Sequence, residues 1–268
     1  MIIKKAYVDI HDGQIHYRSV EADRGTPLVL FHRAPSSSLS FEKMMSMMAG
    51  DRPMYAFDTP GYGQSFDPPG MPDILAYHDW MVEAIDRVGL DTFHIFGHHT
   101  GTHFGTEMAT AYPDRVRSLM LNGIAYLTAA EREQFRQGMS PPQTPDSDGA
   151  YALDIWNRLK GLAKNFDAET MHQDYVGSLR SLVGRPQSFN AVWGQDYPAI
   201  LAKVTCPILA TSAEDDLFAP YLDRVAEAHP NAKTVVLGPA MIWTPELDTE
   251  CVVREVRNFL KDVEGAHA

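Results

Sequence analysis

One stretch decides the fold of this chain: Phe93-His94-Ile95-Phe96-Gly97-His98-His99-Thr100-Gly101-Thr102-His103. The apolar residues before Gly97 predict a buried strand, and the apolar residues after Gly101 recur at helical spacing. Two glycines therefore frame His99 at a sharp turn from strand to helix. Such a turn lifts its central side chain above the edge of a sheet. The glycines allow strand and helix to approach closely around a residue in a strained backbone conformation.

Other segments repeat the alternation of buried strand and helix. Short apolar runs at Pro27–Phe31, Met54–Phe57 and Pro207–Thr211 are typical of strands buried on both faces. Asp73–Val88 shows helical periodicity and is closed by glycine at position 89. Strands that alternate with helices in this way predict an α/β protein with a parallel sheet.

The loops between these segments resemble those of one family, the α/β-hydrolase fold. The turn around His99 resembles its nucleophile elbow, Gly-x-Ser-x-Gly, and Asp58-Thr59-Pro60-Gly61-Tyr62-Gly63-Gln64-Ser65 resembles its Asp-x-Pro-Gly-x-Gly-x-Ser loop. The resemblance implies a mostly parallel sheet flanked by helices, with an inserted helical cap. On this basis we predict that residues 1–125 and 196–268 form the core and that residues 126–195 form the cap.

The catalytic residues that the resemblance implies are only partly present. His99 occupies the place of the nucleophilic serine. Counting back from Pro220 in the loop after Thr211 selects Asp216 as the acid. The loop after the last strand, Gly238–Glu246, lacks the expected histidine, and the only later histidine is His267. The usual Ser-His-Asp mechanism is therefore excluded, and we predict that His99 and Asp216 are the catalytic residues.

The same resemblance suggests the surroundings of this site. The backbone N–H groups of Ala34 and Thr100 are predicted to form an oxyanion hole. The side chains predicted to line the substrate pocket are His32, Arg33, His98, Trp193, Met241 and Trp243. Arg33 stands where the family usually has glycine. Its guanidinium either points to solvent or lies near the pocket and recruits a carboxylate or another anion.

Several functions fit these residues. An imidazole can act as a nucleophile or a general base, so hydrolysis of a small ester, thioester or lactone is the first prediction. Non-hydrolytic acid/base chemistry is an alternative, as a C–C lyase, a decarboxylase or a cofactor-free oxygenase. A catalytically dead ligand-binding protein is another. A metal site formed by His99 and His103, completed by His32 and Asp216, is also conceivable, but His103 is expected in the core. We predict no metal and no cofactor.

Composition narrows the class of partner. The 268 residues include 44% hydrophobic and 22% charged residues, which is ordinary for a globular protein. A net charge of −12 argues against a nucleic-acid partner. No apolar run is long enough to cross a membrane. With two distant cysteines and no secretion signal, a cytoplasmic protein with a small-molecule substrate is expected. The oligomeric state, including a homodimer, is left open.

Overall fold

A computed structural model describes residues 2–138, 143–163 and 167–265. Its centre is an eight-stranded sheet with the order β1-β2-β4-β3-β5-β6-β7-β8. The strands are β1 Lys4–Ile10, β2 Gly13–Val20, β3 Leu28–Phe31, β4 Met54–Phe57, β5 Phe93–His98, β6 Val116–Asn122, β7 Ile208–Ala213 and β8 Lys233–Leu237. The predicted α/β class is confirmed.

The parallel part of the sheet sets the position of the functional loops. Strands β4, β3, β5, β6, β7 and β8 pair in parallel, whereas β1 and β2 are antiparallel at one edge. Phe31 pairs with Gly97, and His98 pairs with Asn122. The carboxyl ends of β3, β5 and β6 therefore meet at one edge, where the loops of an α/β sheet form a binding crevice.

Helices cover both faces of this sheet. One face packs an apolar cluster that includes Met81 of α2 and Phe104 of α3, and the other packs Met44 of α1 and Phe259 of α11. The helices are α1 Glu42–Met47, α2 Ile74–Val88, α3 Thr100–Ala111, α4 Ala129–Gly138, α5 Ala150–Leu162, α6 Ala168–Arg180, α7 Gly184–Gly194, α8 Tyr197–Leu201, α9 Leu222–Ala228, α10 Thr244–Leu247 and α11 Thr249–Gly265. Two short 3₁₀ turns lie at Ser38–Phe41 and Ala219–Tyr221.

The segment between β6 and β7 is helical where the structure describes it. It contributes α4 to α8, and no strand occurs among its described residues. Ile155 of α5, Met171 of α6 and Trp243 form one apolar cluster, so these helices pack against the loop after β8. A helical insertion was predicted here. The exact boundaries of the cap remain a prediction.

No helix within the described ranges combines the length and the apolar character needed to cross a bilayer.

Candidate active site

The turn between β5 and α3 has the geometry of a strained elbow. His99 has φ 47° and ψ −111°, although it is not glycine. A Cβ atom on Gly97 would lie 2.5 Å from the carbonyl oxygen of Gly101, and a Cβ on Gly101 would clash with the carbonyl oxygen of Phe31. Glycine is therefore required at positions 97 and 101 for a steric reason, because only a hydrogen atom fits in place of a side chain where strand and helix cross. Such strain occurs where a structure over-determines a functional side chain.

The His99 imidazole bonds directly to a buried carboxylate. Its Nε2 lies 2.7 Å from Oδ2 of Asp216, whose side chain is fully buried. The other oxygen of Asp216 accepts the backbone N–H of Phe218 at 2.7 Å. Because an ionised carboxylate only accepts hydrogen bonds, Nε2 carries the proton, and Nδ1 keeps a lone pair. Among the described residues Nδ1 has no hydrogen-bonding partner.

The glycine that follows β6 leaves space for the His99 ring, and the sequence analysis did not identify this glycine. Gly123 has φ +70°, and a Cβ there would clash with Cδ2 and Nε2 of the His99 ring. The backbone N–H of His99 donates to the carbonyl of Asn122 at 2.8 Å. The imidazole therefore lies across a glycine at the end of β6. A glycine directly after a buried strand, Asn122-Gly123, was the available sequence signal.

Both predicted oxyanion donors belong to residues that line the cavity in front of His99, namely Ala34 and Thr100. Thr100 is the first residue of α3. Its N–H is one of the four at a helix start that have no acceptor within the helix, and the helix dipole adds partial positive charge there. Their use as an oxyanion hole remains a prediction.

The cavity itself has a volume of about 540 Å³ and lies between the sheet edge and the helical insertion. Of the predicted pocket residues, Arg33, Trp193 and Met241 line it. Aromatic rings form one wall: Phe135 stacks on Trp193 with ring centres 5.5 Å apart, and Phe218 lies 5.3 Å from the His99 ring. An apolar wall of this kind is typical of small-molecule sites.

Met241 stands in the loop that usually carries the catalytic histidine. It has φ 49°, and it reaches the cavity wall. The backbone N–H groups of Ala240 and Met241 both donate to Oδ1 of Asp215, at 3.0 and 2.7 Å. Asp215 therefore fixes the shape of this loop. His267 lies outside the described residues.

Three other predicted pocket residues do not appear in the cavity lining, and each has a physical reason. His32 is buried, its Nδ1 donates to the carbonyl of Arg33 at 2.7 Å, and its Nε2 accepts the N–H of Thr59 at 3.0 Å. Burial lowers the pKa of His32, which suits this neutral form. It holds the loop after β3 against the loop after β4.

His98 and Trp243 are the other two. His98 is fully buried, with its ring centre 4.9 Å from that of His99, and burial keeps its pKa well below the ordinary value. Because strand residues alternate in direction, His98 and His99 cannot both face the cavity. Trp243 is packed beneath the insertion, where its Nε1 donates to Oδ2 of Asp174 at 3.3 Å.

Arg33 lines the cavity, as in the second alternative drawn from the sequence, but the carboxylate that it meets belongs to the protein itself. Its side chain is buried, it donates to Asp174 Oδ1 at 2.5 Å, and it lies 3.7 Å from Glu246 Oε1. Its guanidinium carbon lies 5.8 Å from the centre of the Trp243 ring. Arg33 therefore joins the loop after β3 to α6 and α10, and its charge is paired with Asp174 inside the protein.

The metal interpretation finds little support in the described geometry. His103 lines the cavity, but its Nδ1 bonds Oε1 of Gln195 at 2.5 Å, and burial lowers its pKa to about 4. Within residues 2–138, 143–163 and 167–265 no group of three or more His, Cys, Asp or Glu side chains is placed to hold a metal ion.

Comparison with known proteins agrees with this architecture. Residues 26–243 match the family model for the alpha/beta hydrolase fold. The chain is 26% identical over 255 residues to a proline iminopeptidase of Clostridium botulinum, covering 84% of this chain and 86% of the relative. It is 24% identical over 262 residues to a 2-(acetamidomethylene)succinate hydrolase of Mesorhizobium japonicum, covering 94% of both.

A solved structure gives the same result for the fold. A hydrolase from Pseudomonas aeruginosa PA01 superposes with a TM-score of 0.82 at 20% identity, covering 96% of this chain and 98% of the other. At that identity the likeness concerns the fold alone. With the family model matched over most of the sequence and the elbow in place, the chain belongs to the α/β-hydrolase fold family.

Proposed function

We propose that this protein hydrolyses a small ester, thioester or lactone at a site centred on His99. The observation that carries the proposal is the 2.7 Å bond between His99 Nε2 and Asp216 at a strained elbow. In a serine-type triad a carboxylate orients and stabilises an imidazole that performs the proton transfer. In this protein the imidazole belongs to His99, the elbow residue itself.

The reaction uses the free nitrogen of the ring. With Nε2–H held by Asp216, Nδ1 removes a proton from water as the water oxygen attacks the substrate carbonyl. The carbonyl oxygen becomes an oxyanion facing the N–H groups of Ala34 and Thr100. The tetrahedral intermediate then collapses, and the imidazolium returns its proton to the leaving alcohol or thiol. Alternatively Nδ1 attacks the carbonyl, and the C–O or C–S bond to the leaving group breaks to give an acyl-imidazole and an alkoxide or thiolate that takes a proton from water. A second water molecule then cleaves the acyl–nitrogen bond and releases the acid and His99.

The composition of the cavity supports a reaction that depends on imidazole. None of the described residues that line it is serine or cysteine. Both oxygens of Asp216 already accept hydrogen bonds, one from His99 Nε2 and one from the backbone N–H of Phe218. The relatives in the comparison are named hydrolases, which supports hydrolysis as the reaction class. Their particular substrates are properties of those proteins.

Turnover of activated aryl esters and lactones tests the proposal. Wild type should hydrolyse members of the panel when it is assayed between about pH 5 and pH 9. His99→Ala should lose at least ~100-fold in kcat/KM. His172→Ala is the matched control, because His172 is exposed on α6 and does not line the cavity. A pre-steady-state burst of leaving group would distinguish the nucleophile from the base.

Acid/base chemistry without hydrolysis is a second candidate. It is favoured by the absence of a serine or cysteine nucleophile among the described cavity residues, since a His–Asp pair is by itself a proton-transfer device. An inactive wild type on the whole panel, or a fully active His99→Ala, would contradict the hydrolase proposal. C–C cleavage, decarboxylation, cofactor-free oxygenation and simple ligand binding would then be tested.

A further inference from the structure

Two arginines of the helical insertion line the cavity without a hydrogen bond or an ion pair to any described residue. Arg158 of α5 and Arg185 of α7 both line it together with His99. Neither guanidinium has a hydrogen bond or an ion pair with any described residue. Both side chains are partly buried. Arginine is normally paired when it leaves water, so two unpaired guanidinium groups in one cavity need an explanation.

The cavity carboxylates form no ion pair with either arginine among the described residues, although Asp174 attracts Arg158. Asp174 is bonded on one oxygen by Arg33 and on the other by the Trp243 indole. Asp215 accepts two backbone N–H groups of the loop after β8. Within the lining the three arginines Arg33, Arg158 and Arg185 outnumber the two carboxylates Asp174 and Asp215, although the net charge of the whole chain is −12.

Electrostatics show that the two groups are close enough to affect each other. Burial lowers the pKa of Arg158. Burial and then repulsion from Arg158 lower the pKa of Arg185 to about 10. Both arginines stay charged at neutral pH. An anion bound between them would relieve the repulsion and replace the lost water contacts.

We propose that Arg158 and Arg185 form a carboxylate-binding subsite, so that the substrate is an ester, thioester or lactone carrying a carboxylate. Arginine suits this task because its planar fork pairs with both carboxylate oxygens. The substrate class rests on the proposed function. The anion subsite itself stands independently, because it is a property of the cavity.

The other residues that line the cavity indicate the chemical character of the rest of the ligand. Phe189 lies beneath Arg185, whose guanidinium carbon is 5.2 Å from the ring centre, and Phe189 stacks on Trp193. Phe135 and Phe218 continue this apolar surface towards His99. A compact apolar or aryl body between the carboxylate and the scissile carbonyl fits a cavity of about 540 Å³.

Calorimetric binding of 4-phenylbutyrate and of its neutral isostere 4-phenylbutanamide tests the subsite without turnover. Wild type should bind the carboxylate roughly 10- to 100-fold more tightly, the range expected for charge-assisted hydrogen bonds. Added salt should reduce this preference. The double variant Arg158→Met/Arg185→Met should lose it. The double lysine variant keeps both charges without the fork and should retain part of it.

Arg136→Met is the matched control, because Arg136 is exposed on α4 and does not line the cavity. It should keep the full preference. Three outcomes would overturn the subsite. The first is equal binding of the two probes by wild type, and the second is no binding of the carboxylate at millimolar concentration. The third is an unchanged preference for the carboxylate in the double Met variant. Circular dichroism checks that each variant is folded.

Hydrolysis of p-nitrophenyl hydrogen glutarate against p-nitrophenyl pentanoate separates this inference from the proposed function. If both proposals are correct, wild type hydrolyses the anionic ester with a kcat/KM at least about tenfold higher than that for the neutral ester. The double Met variant should then lower kcat/KM for the anionic ester only. Turnover of both esters at equal rates would leave the hydrolase proposal standing and overturn the subsite. Preferential carboxylate binding without turnover of either ester would do the reverse.

Discussion

Replacing Glu246 by glutamine should remove a pH-dependent penalty from the folded state. Glu246 belongs to α10, which follows the loop after β8. It is buried, and its Oε2 has no hydrogen-bond partner among the described residues. Burial, followed by repulsion from Asp174, raises its pKa from 4.5 to about 7, although Arg33 works in the opposite direction.

The size and sign of the effect follow from linkage. Between pH 4.5 and 7 the folded protein holds the Glu246 proton that the unfolded chain releases, so stability falls as the pH rises. Each pH unit across this window is worth ~1.4 kcal/mol. Between pH 5 and pH 8 the wild type should therefore lose ~2–3 kcal/mol at this one residue. The side chain of the Glu246→Gln variant is neutral at every pH, so the variant should not show this loss of stability.

Urea denaturation at pH 5, 6, 7 and 8 measures the difference between the two proteins. The variant should approach wild-type stability near pH 5 and exceed it by ~2–3 kcal/mol at pH 8. Glu250→Gln is the control, since Glu250 is exposed on α11, and its difference from wild type should not vary with pH in this range. A Glu246→Gln difference constant within ~0.5 kcal/mol would refute the assignment of a protonated carboxyl.

Three further substitutions test the site and its support. Arg33→Met leaves the buried Asp174 carboxylate without its cation and should lower the free energy of unfolding by ~3–5 kcal/mol, whereas exposed Arg136→Met should change it by less than ~0.5 kcal/mol. Gly123→Ala places a methyl group in the space of the His99 ring and should reduce kcat/KM by ~100-fold; unchanged turnover would show that the ring position is unimportant. Asp216→Asn should reduce kcat by at least ~100-fold and alter the pH profile, because the ring loses the acceptor that fixes its tautomer.

Local patterns were enough to predict the fold. The apolar run Phe93–Phe96 and the glycines at 97 and 101 determine a strand, a turn and a helix through contacts a few residues apart. The position of Asp216 followed from its spacing to Pro220 in the loop after a buried strand. An imidazole reaches further than a serine, which allowed a direct or a water-mediated contact between His99 and Asp216, and the distance of 2.7 Å shows that the contact is direct.

Pairing over long distances limited the prediction of the pocket. Arg33 meets Asp174, which is 141 residues further along the chain and belongs to the helical insertion. No local signal indicates such a partner, so the guanidinium was expected in solvent or near a ligand. Arg158 and Arg185 show the opposite case. Nothing in the sequence distinguishes them from other arginines, and only the cavity shows that their charges are unpaired.

The two departures from the usual triad compensate each other physically. A serine at the elbow is too short to reach the acid, and a separate histidine on the loop after β8 normally spans that gap. At this elbow the imidazole of His99 spans the gap itself and sits in the space that Gly123 leaves open. A second imidazole from the loop after β8 would have to compete for the same carboxylate. That loop instead presents Met241 to the cavity and buries Glu246 beside Arg33. His99 and the missing histidine are therefore parts of one arrangement, in which the base and the elbow residue are the same side chain.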